Sequence, residues 1–511
     1  MRHIAGVIFI LVAFAPGVSQ ALCGAERAPE ALAGFDEFAG AVMAEWQVPG
    51  LALGIIRDGE TLYCAGYGLA DMADGIAATP DTIFAIGSIT KSFTIAGLAL
   101  LVDEGRLDWD RPVRHLLPGF ALADSVATKH TTPRDMVTHR TGLARHDMLW
   151  YGSGLGADQL FDGLRHLVPV APFRCTWQYN NLLVAAAGRI TEALSGESWQ
   201  AFTARRLLTP LGMTSTDFST RENDARRAKP YEKSAGQIRR IAFYDLRAVA
   251  PAGAINSSVA DMLDYLAFHM KHGRHAGVQL LSEGQAKAMQ TPQVALDEAP
   301  AHAALGDAAY GMGFLVSTYR GWRIIWHGGG IDGFVALIAF LPDAGIGIVA
   351  LSNLDRNPAP TILARNLFDR LLGLEPLPWN DWIASDYLEW ELKQGQRAAE
   401  HARSRDLTVR PSRSLADFAG RYRHAAYGEV RITHENTGLT LHYGQFSLPL
   451  SHYRGDIFEI VKIPVTSDSH LEVSFRKDQS GAVASLTIPF EPTVADILFV
   501  RAARPNRARR W

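Results

Sequence analysis

Two apolar runs, Leu51 to Ile56 and Thr61 to Tyr67, flank the dipeptide Asp58-Gly59 and predict two strands joined by a tight turn. An amphipathic stretch from Phe35 to Trp46 precedes them. From about residue 88 to 310 the pattern is mostly helical, with loop clusters rich in Gly, Pro, Thr and His. Within it, Ser258-x-x-Asp261 ahead of an apolar-periodic run predicts a capping box. Strand character returns at Arg323 to Trp326, Phe334 to Leu341 and Ile346 to Leu351, and an amphipathic helix is expected over Thr361 to Leu372. The pattern therefore predicts a mixed α/β (α+β) fold, an antiparallel sheet built from both ends of a domain around a helical insert.

Beyond Leu374 the chain becomes charged and linker-like, and the period then changes to short alternating segments: Val430/Ile432, Leu439/Leu441/Tyr443, Leu471/Val473/Phe475 and Leu486/Ile488/Phe490. Turn pairs such as Thr437-Gly438 and Ser480-Gly481 separate them, which predicts a small antiparallel barrel or sandwich. The expected organisation is a leader over 1–21, a main domain over 22–375, a linker over 376–412, a β-domain over 413–500 and a basic tail over 501–511. In the leader, Ile4 to Val18 is apolar and Ser19-Gln20-Ala21 is a small-x-small cleavage site, so it reads as a secretory signal and implies a periplasmic or secreted product. A retained span is disfavoured because Pro16 interrupts a stretch shorter than the roughly 20 apolar residues a bilayer requires. A lipid attachment at Cys23 is disfavoured by the bulky Leu22 before it. The tail arginines, from Arg501 to Arg510, read as solvated, with weak attachment to anionic lipid or polysaccharide as the alternative.

Composition narrows the function. Of 511 residues, 48% are hydrophobic and 20% charged, which excludes wholesale disorder, and a formal net charge of −3 offers no basic surface for nucleic acid. The three cysteines, Cys23, Cys64 and Cys175, are too few for a disulfide scaffold and lack C-x-x-C spacing; Cys175 is read as a structural thiol or as bridged to Cys64.

Three segments carry candidate chemistry. Ser88 and Lys91 stand three residues apart at the expected start of a helix, on one face, where free backbone N–H groups and the positive helix end favour an oxyanion. The plain alternative is a helix cap followed by a surface lysine. Gln178-Tyr179-Asn180-Asn181 leads into the helical run Leu182 to Ala187; Tyr179 is a poor base unless cations such as Lys91 favour its phenolate, and the plain alternative is a core ring with Asn181 as a cap. Trp326-His327-Gly328-Gly329-Gly330-Ile331-Asp332-Gly333 is a strand end running into consecutive glycines. A dinucleotide fingerprint is rejected there because a strand follows it, and a lipase-type oxyanion loop because the chain has no G-x-S-x-G elbow. His269, His272 and His275 are read as complementing a helix C-terminus, since no carboxylate or cysteine completes a metal set.

In the order S-x-x-K, Y-x-N, H-x-G, the chain resembles the serine β-lactamase and penicillin-binding-protein superfamily, in its class C, S12-type branch. Gly66-Tyr67-Gly68-Leu69-Ala70-Asp71, Thr138-His139-Arg140-Thr141-Gly142-Leu143, Pro251-Ala252-Gly253 and Ser257-Ser258 support the resemblance. The trailing domain, opening with Phe418-Ala419-Gly420-Arg421-Tyr422, resembles the lipocalin-like β-domain of some peptidases of that branch. The resemblance implies Ser88 as nucleophile, with Lys91 and Tyr179 managing its proton and Tyr179 as the base toward leaving group and water. It also implies Asn181 orienting Lys91 and the substrate amide, and the amides of Ser88 and Gly330 as oxyanion hole, with His327 and Gly329 beside the substrate. No metal or organic cofactor is called for. Where efficient β-lactamases carry Lys-Thr-Gly or Lys-Ser-Gly, this chain has His327 and Gly328, which weakens carboxylate recognition. The expected activity is that of a peptidase or amidase on D-amino-acid-containing peptides, or of an esterase, acting on a small peptide, amide or ester. A β-lactamase proper and a non-turnover penicillin or wall-peptide sensor are the alternatives.

Overall fold

The computed structural model describes residues 30–221, 224–435, 438–460 and 470–502. The signal reading over 1–21, Cys23 and the tail from 503 onward lie outside the described residues. The predicted hairpin forms from strands Gly50–Arg57 and Glu60–Asp71, and its two turn residues both take positive φ, 52° at Asp58 and 81° at Gly59. That is the geometry an Asp-Gly loop adopts most cheaply, because its twist matches that of the strands it joins. Strand Gly50–Arg57 pairs antiparallel with Ile346–Ser352, from Leu51 opposite Ser352 to Arg57 opposite Ile346, so distant segments of the domain close one sheet. Strands Trp322–Ile331 and Phe334–Leu341 continue it into nine strands.

Helices Phe35–Trp46 and Ala359–Leu371 cover one face of the sheet, burying Phe35, Val42, Ile362, Leu363, Leu367 and Phe368 in one cluster with the strand residues Leu51, Leu53, Ile55 and Ile348. The other face carries the insert, whose longest helices are Thr90–Asp103, Asn181–Ser195 and Val259–Met270. Thr90–Asp103 is buried on nearly every side, as a helix at the centre of a domain must be. Ser258 caps Val259–Met270 by accepting from the Asp261 N–H at 3.2 Å. Asp261 does not complete the predicted reciprocal box; its carboxylate accepts from the Ser215 N–H and the Thr216 hydroxyl, tying the preceding loop to the helix.

The segment read as a linker is a 26-residue helix, Trp379–Ser404. Trp379 is buried against the first domain, whereas Tyr387, Leu388, Trp390 and Leu392 are exposed. Beyond it a closed barrel of eight strands runs from Gly420–His424 to Ile497–Arg501, sealed by the pairing of Tyr422 with Arg501 and Arg423 with Val500. Val430, Ile432, Leu439, Leu441, Tyr443, Leu471, Val473 and Phe475 point inward as their alternation predicted. Arg501 belongs to the closing strand and not to a solvated tail, because its guanidinium donates to the carbonyls of Asp417 at 3.0 Å and Val483 at 2.9 Å. Cys64 is buried and Cys175 exposed, so the bridge between them is not formed. No described helix is long and apolar enough to cross a membrane.

Candidate active site

Ser88 lies in a single 3-10 turn, Gly87–Ile89, that feeds directly into helix Thr90–Asp103. The glycines around it have a steric reason. Gly87 has φ 49°, and a Cβ there would stand 2.7 Å from the amide nitrogen of Gly330. A Cβ on Gly329 would stand 1.9 Å from the carbonyl oxygen of Ile86 and 3.3 Å from the amide nitrogen of Ser88. Only glycine at these positions lets the strand Trp322–Ile331 lie against the turn that holds Ser88.

Lys91, the second residue of helix Thr90–Asp103, is fully buried. Its Nζ lies 2.9 Å from Ser88 Oγ and donates to the Ala252 carbonyl at 2.8 Å, so the Pro251-Ala252-Gly253 segment fixes the amine. Thr94 Oγ1 holds the neighbouring Pro251 carbonyl at 2.6 Å. Burial pushes the Lys91 ammonium well below its ordinary value, and the Arg145 guanidinium pushes it further, partly offset by Asp147.

Tyr179 closes the group. Lys91 Nζ stands 4.8 Å from its ring centroid and the Arg145 guanidinium carbon 5.0 Å from it. Burial raises the phenol above its ordinary value, although its hydrogen bond with Ser88 and the charge of Arg145 pull it back. Both directions oppose a resting phenolate beside a lysine cation; they favour a neutral amine next to a neutral phenol. The resemblance implies instead a Lys91 cation sustaining a Tyr179 base, a pairing that burial of both groups disfavours.

Asn180, not Asn181, caps helix Asn181–Ser195, accepting from the Leu183 N–H at 2.9 Å. The partner the structure gives Asn181 is Asp147 and not the expected Lys91. Its side-chain amide donates to Asp147 Oδ1 at 2.9 Å, and Asp147 Oδ2 pairs with Arg145 at 2.7 Å. Arg145 and Asp147 were not singled out in the sequence, where they are ordinary charges in an irregular segment; nothing in their spacing marks them.

His327 is buried, and burial, followed by the charge of Lys91, depresses its imidazolium to about 3. Its Nδ1 lies 2.6 Å from the Gly328 carbonyl, which can only accept, so the ring proton sits on Nδ1; Nε2 then accepts from the Tyr310 hydroxyl at 3.2 Å. The imidazole is neutral throughout the physiological range. His139, at φ 61°, packs on Tyr179 and Tyr310 with ring centroids 4.6 Å and 4.8 Å away and accepts from the Asn180 N–H at 3.1 Å. The Thr138-to-Leu143 motif thus supports the tyrosine loop. Beside the Ser88 turn runs a cleft lined by Phe218, Phe243, Tyr244, Leu246, Gly253 and Ile331.

The barrel braces this site. Tyr443 donates to the Met148 carbonyl at 2.9 Å, Glu491 accepts from the His146 N–H at 2.7 Å, and the Gln445 N–H donates to the Gly152 carbonyl at 2.8 Å. Phe446 stacks on Tyr151, which stacks on Tyr244 and donates to Asp332 at 2.5 Å. The segment that carries Arg145 and Asp147 is therefore held between the Ser88, Lys91 and Tyr179 group and the second domain. His269, His272 and His275 do not come together as ligands; His269 is packed among the rings of Tyr265, Phe268 and Phe314.

The sequence profile of the Beta-lactamase family matches residues 35–371, the whole span that positions these groups. The chain belongs to the Beta-lactamase family. Residues 404–501 match a second profile, a domain of unknown function, DUF3471, which here is the closed eight-stranded barrel. An unguisins hydrolase of Aspergillus campestris is 28% identical over 90% of this chain and 90% of its own length. Penicillin-binding protein 4 of Amycolatopsis lactamdurans is 28% identical over 65% of this chain and 87% of its own length. Among solved structures, the octameric penicillin-binding protein homologue from Pyrococcus abyssi superposes with a TM-score of 0.62 at 22% identity, over 92% of this chain and 99% of that one. This Beta-lactamase family member thus shares its fold with penicillin-binding proteins and has hydrolases among its relatives.

Proposed function

We propose that the protein is a serine hydrolase that forms an acyl-enzyme at Ser88, acting on amide bonds of small peptides containing D-residues or on simple esters. The observation that carries this reading is the 2.9 Å contact between Ser88 Oγ and a buried Lys91 whose ammonium form is disfavoured. One amine hydrogen is committed to the Ala252 carbonyl, and the nitrogen lone pair is available to Ser88. As Ser88 Oγ bonds to the substrate carbonyl carbon, its proton passes to Lys91, and the carbonyl π pair moves onto oxygen, facing the amides of Ser88 and Gly330. When the intermediate collapses, the leaving nitrogen or oxygen takes a proton from the Tyr179 hydroxyl, which Lys91 restores. Water then repeats the sequence in reverse order at the ester carbonyl. Removing one oxyanion donor in such a site costs about 2.7–4 kcal/mol in activation free energy.

The substrate class is argued from what the strand lacks. A neutral His327 and a Gly328 without a hydroxyl offer no cation and no O–H to a carboxylate at the position where a β-lactamase would bind one. The cleft beside Ser88 has a mixed lining, with Phe218, Phe243, Tyr244 and Leu246 supplying apolar wall and Gln200, Asp245, Arg247 and Asn256 supplying polar groups, which suits a small peptide or ester. The relative named as an unguisins hydrolase spans both domains of this chain and supports a hydrolytic outcome. A signal over 1–21 would deliver the enzyme to the periplasm or outside the cell. The test is a panel of D- and L-amino-acid amides, short esters and nitrocefin, run on wild type and Ser88→Ala. The reading predicts ester or D-aminoacyl amide turnover that Ser88→Ala abolishes while the fold persists, with negligible nitrocefin hydrolysis. Undiminished turnover in Ser88→Ala refutes it.

A further inference from the structure

The helix Trp379–Ser404 ends on the barrel at a cluster that takes no part in the chemistry at Ser88. Glu459, on strand Ile457–Ile460, is buried, yet its carboxylate faces three basic side chains. Arg405 Nη1 takes Oε1 at 3.1 Å. Oε2 is left to two histidines: His401 Nε2 from the helix at 2.9 Å and His470 Nδ1, just ahead of the next strand, at 3.7 Å. At that distance His470 makes no hydrogen bond, and its Nδ1 is buried without a partner. The two imidazoles stack at 4.8 Å and 17°, and the ring of Tyr453 stacks on His401 at 4.4 Å.

Two imidazole nitrogens and one carboxylate oxygen, all within 4.8 Å of one another, form a donor set for a borderline-soft dication. Zinc bonds of about 2.0–2.1 Å in tetrahedral array separate neighbouring ligand atoms by roughly 3.3 Å. The observed 2.9 Å and 3.7 Å bracket that spacing. Arg405 on Oε1 would hold the carboxylate monodentate, as an outer partner of a ligand does, while its charge keeps the affinity below that of a site without a cation nearby. A bound ion would also satisfy the otherwise orphaned His470 nitrogen.

We propose that His401, Glu459 and His470 form a zinc site, with water in the fourth position, that fastens the end of the connecting helix to the barrel. Glu459 and His470 belong to neighbouring segments of the barrel and His401 to the helix, so a metal there would tie the helix end to the barrel wall. The proposal is independent of the reaction assigned to Ser88.

The test uses the full-length untagged protein, stripped with chelator and titrated with cobalt(II). The expected result is one cobalt per chain with the intense visible absorption of a four-coordinate site, displaced by zinc. His401→Ala and His470→Ala should each weaken binding at least about tenfold, the loss that even outer partners of metal ligands can produce. The exposed His434→Ala should leave it unchanged, and circular dichroism checks that each variant is folded. Zinc should raise the thermal midpoint of wild type but not that of His470→Ala. Absence of stoichiometric cobalt uptake, or uptake of equal affinity in both histidine variants, overturns the proposal.

Discussion

Replacing Arg145 with glutamine should move the acid limb of kcat/KM to higher pH. In the proposed mechanism the limb reports Lys91 in the free enzyme, since there the neutral amine is the form that accepts the Ser88 proton. Arg145 disfavours the Lys91 cation, so removing it makes protonation easier and the active form is lost at a higher pH. The two cations stand 4.8 Å and 5.0 Å from one ring centroid and so are no more than about 10 Å apart. At that separation an effective dielectric of about 20 gives about 1.7 kcal/mol, and bulk water about 0.4 kcal/mol. The Arg145 side chain is 52% exposed, which places the effect between those limits, a displacement of about 0.3 to 1.2 pH units. Asp147, freed of its partner, acts in the same direction because its charge favours the Lys91 cation. The assay is the pH dependence of kcat/KM for a chromogenic ester at low and high salt, with the difference between wild type and Arg145→Gln shrinking as salt screens Arg145. A limb that stays in place or moves to lower pH refutes the assignment of Lys91 as the neutral base.

Gly329→Ala would drive a methyl to 1.9 Å from the Ile86 carbonyl, so the strand must retreat from the Ser88 turn; we expect a loss of about 1–3 kcal/mol in urea unfolding and about 100-fold in kcat. His327, depressed to about 3, should show ring proton shifts that do not titrate between about pH 5 and 8 by NMR, whereas an exposed histidine does. Tyr443→Phe deletes the hydrogen bond to the Met148 carbonyl and should lower unfolding free energy by about 1 kcal/mol. It should also reduce kcat more than it alters KM, because Met148 adjoins the segment that fixes Asp147.

The parts of this protein legible in the sequence are those where one local rule decides the outcome. The Asp58-Gly59 turn needs two positive φ angles, the Ser88/Lys91 pair needs one helical turn, and Gly329 needs an absent Cβ; each leaves its mark on residue type. The inward alternation of Leu439, Leu441 and Tyr443 likewise announced a strand. What escaped depends on contacts between distant segments. Trp379–Ser404 looked like a linker because its charged surface leaves little apolar periodicity, with only Trp379 fully buried. Strands Phe446–Arg454 and Ile457–Ile460 carry mixed polarity and bulge between His452 and Arg454, which blurs period two. The capping role fell to Asn180 and not Asn181, a one-residue difference that composition does not resolve. Arg145 and Asp147 acquire their importance only because the fold sets them against Tyr179 and Asn181.

A covalent intermediate on Ser88 is detectable by intact-protein mass spectrometry on samples acid-quenched during turnover of a slow chromogenic ester. The expected result is a mass increase equal to the acyl group, mapped by proteolysis to the peptide containing Ser88, decaying as substrate is exhausted and absent in Ser88→Ala. Steady turnover with the adduct on another residue, or full turnover by Ser88→Ala, would contradict it.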